Sequence, residues 1–155
     1  MGSRLHYLFD PLCGWCYGVA PLIKAAAELP GLEVELHGGG MLTGSNRRMI
    51  TPLWRSYVLP HDRRIAELSG QPFGDGYFNG LLNDQGAVLD SEPPISAILA
   101  AQAVTGQGLA MLQRIQHAHY VEGRRIADAQ VLTALAGELG LSLLSFSNAY
   151  QAACG

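Results

Sequence analysis

Two cysteines three positions apart, Cys13 and Cys16, enclose Gly14 and Trp15 near the start of a 155-residue chain. The spacing sets two thiols one helical turn apart, close enough to close a disulfide. In such a pair the outer thiol attacks a substrate disulfide and the inner one resolves the mixed disulfide. Cys13 is expected in the first turn of a helix, where free amide groups and the macrodipole stabilise a thiolate. That setting lowers a cysteine pKa from ~8.5 into a range of roughly 3.5–7.5. Gly14 allows a tight turn, and Trp15 offers apolar surface beside the reactive sulfur. The competing use of the pair is half of a zinc site. Tetrahedral zinc takes four ligands, and only Cys154 and scattered histidines remain to supply the others, so no metal site is expected.

The elements that position the pair can be read from apolar spacing. Leu5, Tyr7 and Phe9 alternate with His6 and Leu8, apolar on both faces, as in a short strand buried on both sides. An Ala-rich helix follows from Tyr17 to Leu29, kinked but not broken by Pro21 and stopped by Pro30-Gly31. Leu32, Val34 and Leu36 alternate with Glu33, Glu35 and His37, a second strand with one wetter face at a sheet edge. Strand, helix and strand make a βαβ unit, so the strands run parallel with a right-handed crossover.

From Thr43 onward the pattern is helical. Helices are expected over Pro52 to Leu59 and His61 to Leu68, separated by Pro60. Gln71 to Asp90 reads as a loop with a short helical piece. Ser91 opens a helix that tolerates Pro93 and Pro94 only in its first turn. A further helix runs through Leu109, Leu112, Ile115 and His119 to Gly123. Asp128 is the N-cap of the next, which ends at Gly140, and Ser145 caps a last helix to Ala153. The expected segments are 1–42, 43–144 and 145–155: half of an α/β domain, a helical insertion, and the start of a return to the α/β domain. Two strands make a marginal sheet, so the rest of the sheet is expected beyond this chain or from a second copy in a homodimer.

Composition narrows the classes further. Hydrophobic residues make up 48% and charged residues 15%, too apolar for a disordered chain. Ten basic residues against thirteen acids give a net charge of −3, which argues against nucleic acid or an anionic membrane as partner. No stretch approaches the ~18 apolar residues of a membrane span. The first nine residues lack the pattern of an export signal, and three cysteines do not describe a secreted disulfide framework. A cytoplasmic setting is therefore expected.

Several single residues invite a chemical reading beside a plainer one. Asp10, three residues before Cys13, could accept a proton or raise the thiol pKa by like-charge repulsion; strand-end turn chemistry is the favoured alternative. His37-Gly38-Gly39-Gly40 could cradle an anion or glutathione, but lacks the spacing and lysine of a phosphate loop. A flexible crossing into the helical segment is preferred. His61-Asp62-Arg63-Arg64 could line a substrate groove, but an exposed helix start with Asp62 in its first turn accounts for it and is preferred. His119 shares a helix face with Leu112 and Ile115 and reads as a core histidine, not a joint ligand with His117. Arg124 and Arg125 read as salt-bridging loop ties, and Cys154 as an incidental thiol.

The stretch Leu5 to Gly18, LHYLFDPLCGWCYG, resembles the DsbA-like branch of the thioredoxin superfamily. LHGGGM at Leu36 to Met41, YVLPHDRRIAELSGQPFG from Tyr57 to Gly74, and AHYVEGRRIAD from Ala118 to Asp128 are similar to its FrnE-like cytoplasmic group, whose members are described as protein-disulfide isomerases. The resemblance implies a thioredoxin-like β-α-β half followed by a large helical insertion. The β-β-α half and its substrate-binding cis-proline are expected to lie outside the chain. It also implies Cys13 as nucleophile, Cys16 as resolving thiol, Gly14 and Trp15 as the dipeptide that tunes the redox potential, and Pro21 as the helix-kinking proline. The expected activity is thiol–disulfide exchange or disulfide isomerisation on protein disulfides or thiols, with no cofactor beyond glutathione as a redox partner. Two other readings stand beside it: a kappa-type glutathione transferase or isomerase, and a non-enzymatic metal- or protein-binding module.

Overall fold

The computed structural model describes residues 2–154; Met1 and Gly155, the outer residues of the two terminal segments, lie outside the described residues. Strands β1 (Ser3–Phe9) and β2 (Leu32–Gly38) pair in parallel, Ser3 opposite Leu32 and Phe9 opposite Gly38. The Gly39 amide extends the ladder by donating to the Phe9 carbonyl at 2.7 Å. Between the strands lie α1 (Gly14–Gly18) and α2 (Ala20–Ala27). The single kinked helix expected there is thus two helices. Val19, at φ −91° and ψ 1°, leaves the helical path. Pro21, which has no N–H to give, falls in the first turn of α2, where none is needed.

Burial of β1 on both faces is also corrected. Tyr7 and Phe9 pack into the larger core, whereas Leu8 on the opposite face is 72% exposed. That face carries Arg4 and His6 from β1 and Glu33, Glu35 and His37 from β2, laced by ion pairs. Alternation along a strand separates the two sets. The apolar character of Leu8 alone suggested a second buried face.

A two-residue antiparallel pair, β3 (Arg48–Met49) with β4 (Val88–Leu89), follows, and nothing in the sequence pattern announces it. Between its strands stands α3 (Pro52–Ser69), one helix of 18 residues where two were expected. Thr51 caps it, accepting from the Trp54 amide at 3.1 Å. Pro60 lies inside α3 on its exposed side. Pro60 has no N–H to give the Ser56 carbonyl, while Val58, Asp62 and Ile65 anchor both halves. The 71–90 segment holds one π-type turn (Gly76–Gly80) and one 3₁₀ turn (Leu81–Asn83).

Helices α4 (Glu92–Thr105), α5 (Gly108–Tyr120), α6 (Ala129–Glu138) and α7 (Leu143–Cys154) complete the chain. Pro93 and Pro94 fall in the first turn of α4, and Asp128 stands at the N-cap of α6. α7 begins two residues before the expected Ser145; the Ser142 hydroxyl accepts from the Ser145 amide at 3.4 Å and caps it instead. Arg125 pairs with both oxygens of Asp84, and Arg124 with Glu122 and Glu138, as the loop-tie reading expects.

Two cores result. The larger joins Phe9 to Ile98, Leu112, Ile115, Leu132 and Phe146, so the sheet rests on the helices. The smaller gathers Tyr17, Ile50, Tyr77, Leu81 and Tyr120 beneath α1. Each such side chain contributes about 1.5–3 kcal/mol by leaving water, and the two cores fix α1 between β1 and α3. Among the described residues no helix is long and apolar enough to cross a membrane.

Candidate active site

Cys13 ends the connection from β1 and stands at the N-cap of α1, with φ −88° and ψ 116°. Its amide donates to the Asp10 carbonyl at 3.1 Å, and its own carbonyl accepts from Tyr17 N at 3.2 Å. Both sulfurs are free thiols, half-buried and in mutual contact. Cys13 is lowered to about 6, first by the hydrogen bond from the Cys16 thiol and then by the amides of Cys16 and Trp15. Desolvation and the charge of Asp10 work against this. The same thiol–thiol bond and burial push Cys16 strongly up. One sulfur is therefore set to be a thiolate at neutral pH and the other to keep its proton, the asymmetry that exchange needs. The macrodipole invoked from sequence is a small contribution, because α1 has only five residues.

Gly14 has a reason other than the turn. Its φ is not positive, but a Cβ there would come within 2.7 Å of Ile65 Cδ1 and 3.2 Å of Asp62 Oδ1. Glycine lets α1 lie directly on α3. Trp15 is exposed beside the sulfurs, as expected. Gly38, the last residue of β2, is likewise a close approach, since a Cβ there would lie 2.6 Å from Ile95 Cγ2.

Asp10 is buried, and its carboxylate accepts from Leu12 N at 2.9 Å, Met41 N at 2.6 Å and Ser91 Oγ at 3.0 Å. It ties the end of β1 to the segment after β2 and to the start of α4, extending the favoured turn chemistry into a three-way junction.

A groove with about 170 Å³ of free space opens at Cys13, walled by Trp15, Met41, Trp54, Tyr57 and His61, with Asp62, Tyr77, His119 and Tyr120 deeper in. His61 and Asp62 both line this groove. The exposed-start reading does not hold: Asp62 lies in the middle of α3 and is buried. It accepts the Tyr77 hydroxyl at 2.5 Å, and desolvation raises it to about 6. Its charge and its setting in a basic run concealed this. His119 is a core histidine, as expected; burial lowers it to about 3 and keeps it neutral. Further rings back Tyr120, with Tyr17 stacked on it at 4.7 Å and Phe73 set edge-on to Tyr17 at 5.3 Å.

Sequence reasoning passed over Tyr7 as core. Its buried hydroxyl has no well-formed hydrogen bond among the described residues. Burial raises Tyr7, and so do the Cys16 and Cys13 sulfurs nearby; in turn its hydroxyl lowers Cys16. The signal available in the sequence was a tyrosine six residues before the first cysteine of the pair, on the strand that leads to it. Cys154 is exposed at the end of α7 and outside the groove.

The chain is similar to several solved structures. The cytosolic disulfide reductase DsbM from Pseudomonas aeruginosa superposes with TM-score 0.92 at 58% identity, covering 99% of this chain and 71% of that one. The same reductase solved with GSH gives 0.91 at 56% identity, covering 99% and 72%. A candidate protein disulfide isomerase from Nitrosomonas europaea gives 0.84 at 28% identity, covering 97% and 71%. Neither a protein-family model nor a curated protein sequence matches the chain.

Proposed function

The chain belongs to the DsbA-like family of thiol–disulfide oxidoreductases, and we propose that within it Cys13 is the attacking thiolate and Cys16 the resolving thiol. The observation that carries this assignment is the split between the two sulfurs, Cys13 lowered to about 6 and Cys16 raised, at the mouth of an aromatic groove. In the reducing direction, the Cys13 thiolate attacks a disulfide R–S–S–R′. A Cys13–S–S–R bond forms and R′S⁻ leaves with the electron pair of the broken bond. Cys16 then loses its proton and attacks the Cys13 sulfur, expelling RS⁻. The cysteine pair has given up two electrons and holds one disulfide, and two external thiols return it to the dithiol form.

Gly14 and Trp15 serve this chemistry in different ways. Gly14 brings the thiol pair against α3, and Trp15 gives a substrate chain apolar surface beside Cys13. Reduction is the favoured direction, because a relative of 58% identity is a cytosolic disulfide reductase and cytosolic glutathione pools hold thiols reduced. The same relative solved with GSH supports glutathione as the thiol that regenerates Cys13 and Cys16, and supports a cytoplasmic location. A homodimer through the free edges of the two-stranded sheet belongs to this reading; among the described residues β1 and β2 pair only with each other. A monomer mass that holds at every concentration removes it.

The role assignment is tested by trapping. Cys16→Ser incubated with oxidised glutathione is expected to accumulate one glutathione adduct, mapped by mass spectrometry to Cys13. Cys13→Ser is expected to accumulate none at Cys16 on the same timescale. Equal labelling of both positions would contradict the assignment.

A further inference from the structure

The polar face of the sheet, on the side away from Tyr7, brings two imidazoles and a carboxylate together. The parallel register sets His6 opposite Glu35 and Leu8 opposite His37, and alternate residues of a strand share a face. His6 Nδ1 lies 2.9 Å from His37 Nε2. Glu35 spans the pair, its Oε2 3.7 Å from His6 Nδ1 and its Oε1 3.8 Å from His37 Nε2. We propose that His6, Glu35 and His37 form a binding site for a first-row divalent cation of the zinc class.

Zinc sits about 2.0–2.1 Å from imidazole nitrogen and carboxylate oxygen, so tetrahedral geometry puts neighbouring donor atoms roughly 3.3 Å apart. With one ligand atom from each residue, the three donors lie within 4.8 Å of one another, and His6 Nδ1 stands 2.9 Å from His37 Nε2 and 3.7 Å from Glu35 Oε2, on either side of that edge length. Two imidazoles with one carboxylate suit zinc, copper or nickel, whereas magnesium and calcium take oxygen ligands. All three ligands stand on strand backbone held by the β1–β2 ladder, so binding orders no loop. Arg4 Nη1 lies 3.3 Å from Glu35 Oε2, an outer partner of the kind that holds a ligating carboxylate in place. The three side chains are partly open to solvent, which gives an ion a path in and leaves a fourth position for water.

The site contains no sulfur. Residues 6 and 7 point to opposite faces of β1, and the cysteines lie near Tyr7, so the cation is held apart from the thiol pair. This permits a clean test. Zinc is titrated calorimetrically into the protein with its thiols alkylated, and into His6→Ala and His37→Ala variants treated alike. The expected result is one equivalent bound, weakened by at least about tenfold in each variant. Circular dichroism and the rate of glutathione-adduct formation at Cys13 before alkylation check that the variants remain folded. In parallel, nickel is expected to broaden the proton signals of His6 and His37 and to leave those of His61, His117 and His119 sharp. No binding to the alkylated wild-type protein overturns the proposal and reduces the cluster to an ion-pair ladder. Binding that survives both substitutions, or broadening confined to the other histidines, overturns it equally.

Discussion

Gly14 in α1 and Ile65 in α3 meet where a side chain on the first would occupy the space of the second: a Cβ on Gly14 would stand 2.7 Å from Ile65 Cδ1. The glycine of the redox motif is therefore a packing residue between the cysteine-bearing helix and the helix that walls the groove. Gly14→Ala is expected to destabilise the protein by about 1–3 kcal/mol through overpacking. Ile65→Val removes the Cδ1 atom, so the same change in that background is expected to cost measurably less in denaturant unfolding. Equal losses in both backgrounds would place the origin elsewhere.

The state of Cys13 predicts its reactivity. Alkylation by iodoacetamide is expected to follow a titration with its midpoint at about 6. Because the first cause is the hydrogen bond from the Cys16 thiol, Cys16→Ala, which leaves no donor, is expected to move the midpoint up toward ~8.5. Stopped-flow or quenched alkylation across pH 4–10 reads both. A wild-type midpoint near that of an ordinary thiol would refute the account of the pair's asymmetry.

Asp62 couples the groove to pH. Its pKa rises from the ordinary carboxylate value of 3.8 to about 6 on folding, so the folded state binds the proton more tightly than the unfolded one. Its contribution is full below about 4 and is lost as pH rises through 6. Relative to Asp62→Asn, which can still accept from Tyr77, the wild-type protein is expected to lose about 1–3 kcal/mol between pH 4 and pH 7. Parallel urea denaturation of the two proteins at both pH values checks this; a constant difference would show that folding leaves the Asp62 pKa unchanged.

Tyr7 is expected to act on the second chemical step. Its hydroxyl is otherwise unpartnered among the described residues and lowers Cys16, so it favours the thiolate that resolves the mixed disulfide. Tyr7→Phe is expected to slow resolution about 2–10-fold, the equivalent of one hydrogen bond of about 0.5–1.5 kcal/mol. The rate of adduct formation at Cys13 should be nearly unchanged, and stability should not fall. Pre-steady-state mass spectrometry separates the two steps. Unaltered resolution would assign Tyr7 to the core alone.

Much of this arrangement was legible from residue types. Pro30-Gly31, the Pro93-Pro94 pair, Asp128 and Gly140 punctuate the chain at positions where caps and stops form, so β2, α4 and α6 fall near their expected limits. The cysteine pair was visible because its spacing is its chemistry. Pro60 misled, since the rule that a proline breaks a helix yields when both flanking turns are anchored, here by Val58 and Ile65. β3 and β4 are two residues each, shorter than any periodicity can register. Asp62 was hidden by its charged neighbours, because burial of one carboxylate in a basic run depends on Tyr77, fifteen residues away. Tyr7 was hidden for the opposite reason: an aromatic residue in an apolar strand reads as core, and the sulfurs that give its hydroxyl a task are placed there by the fold.

The central claim is that Cys13 and Cys16 act as one two-electron centre. Equilibration in glutathione buffers of graded potential, followed by acid trapping and mass spectrometry of free thiols, tests it most directly. The account predicts a single cooperative transition in which both cysteines are lost together, with Cys154 outside it, and no such transition in Cys16→Ser. Independent titration of the two cysteines, or a pair that stays reduced across the whole range, would contradict it.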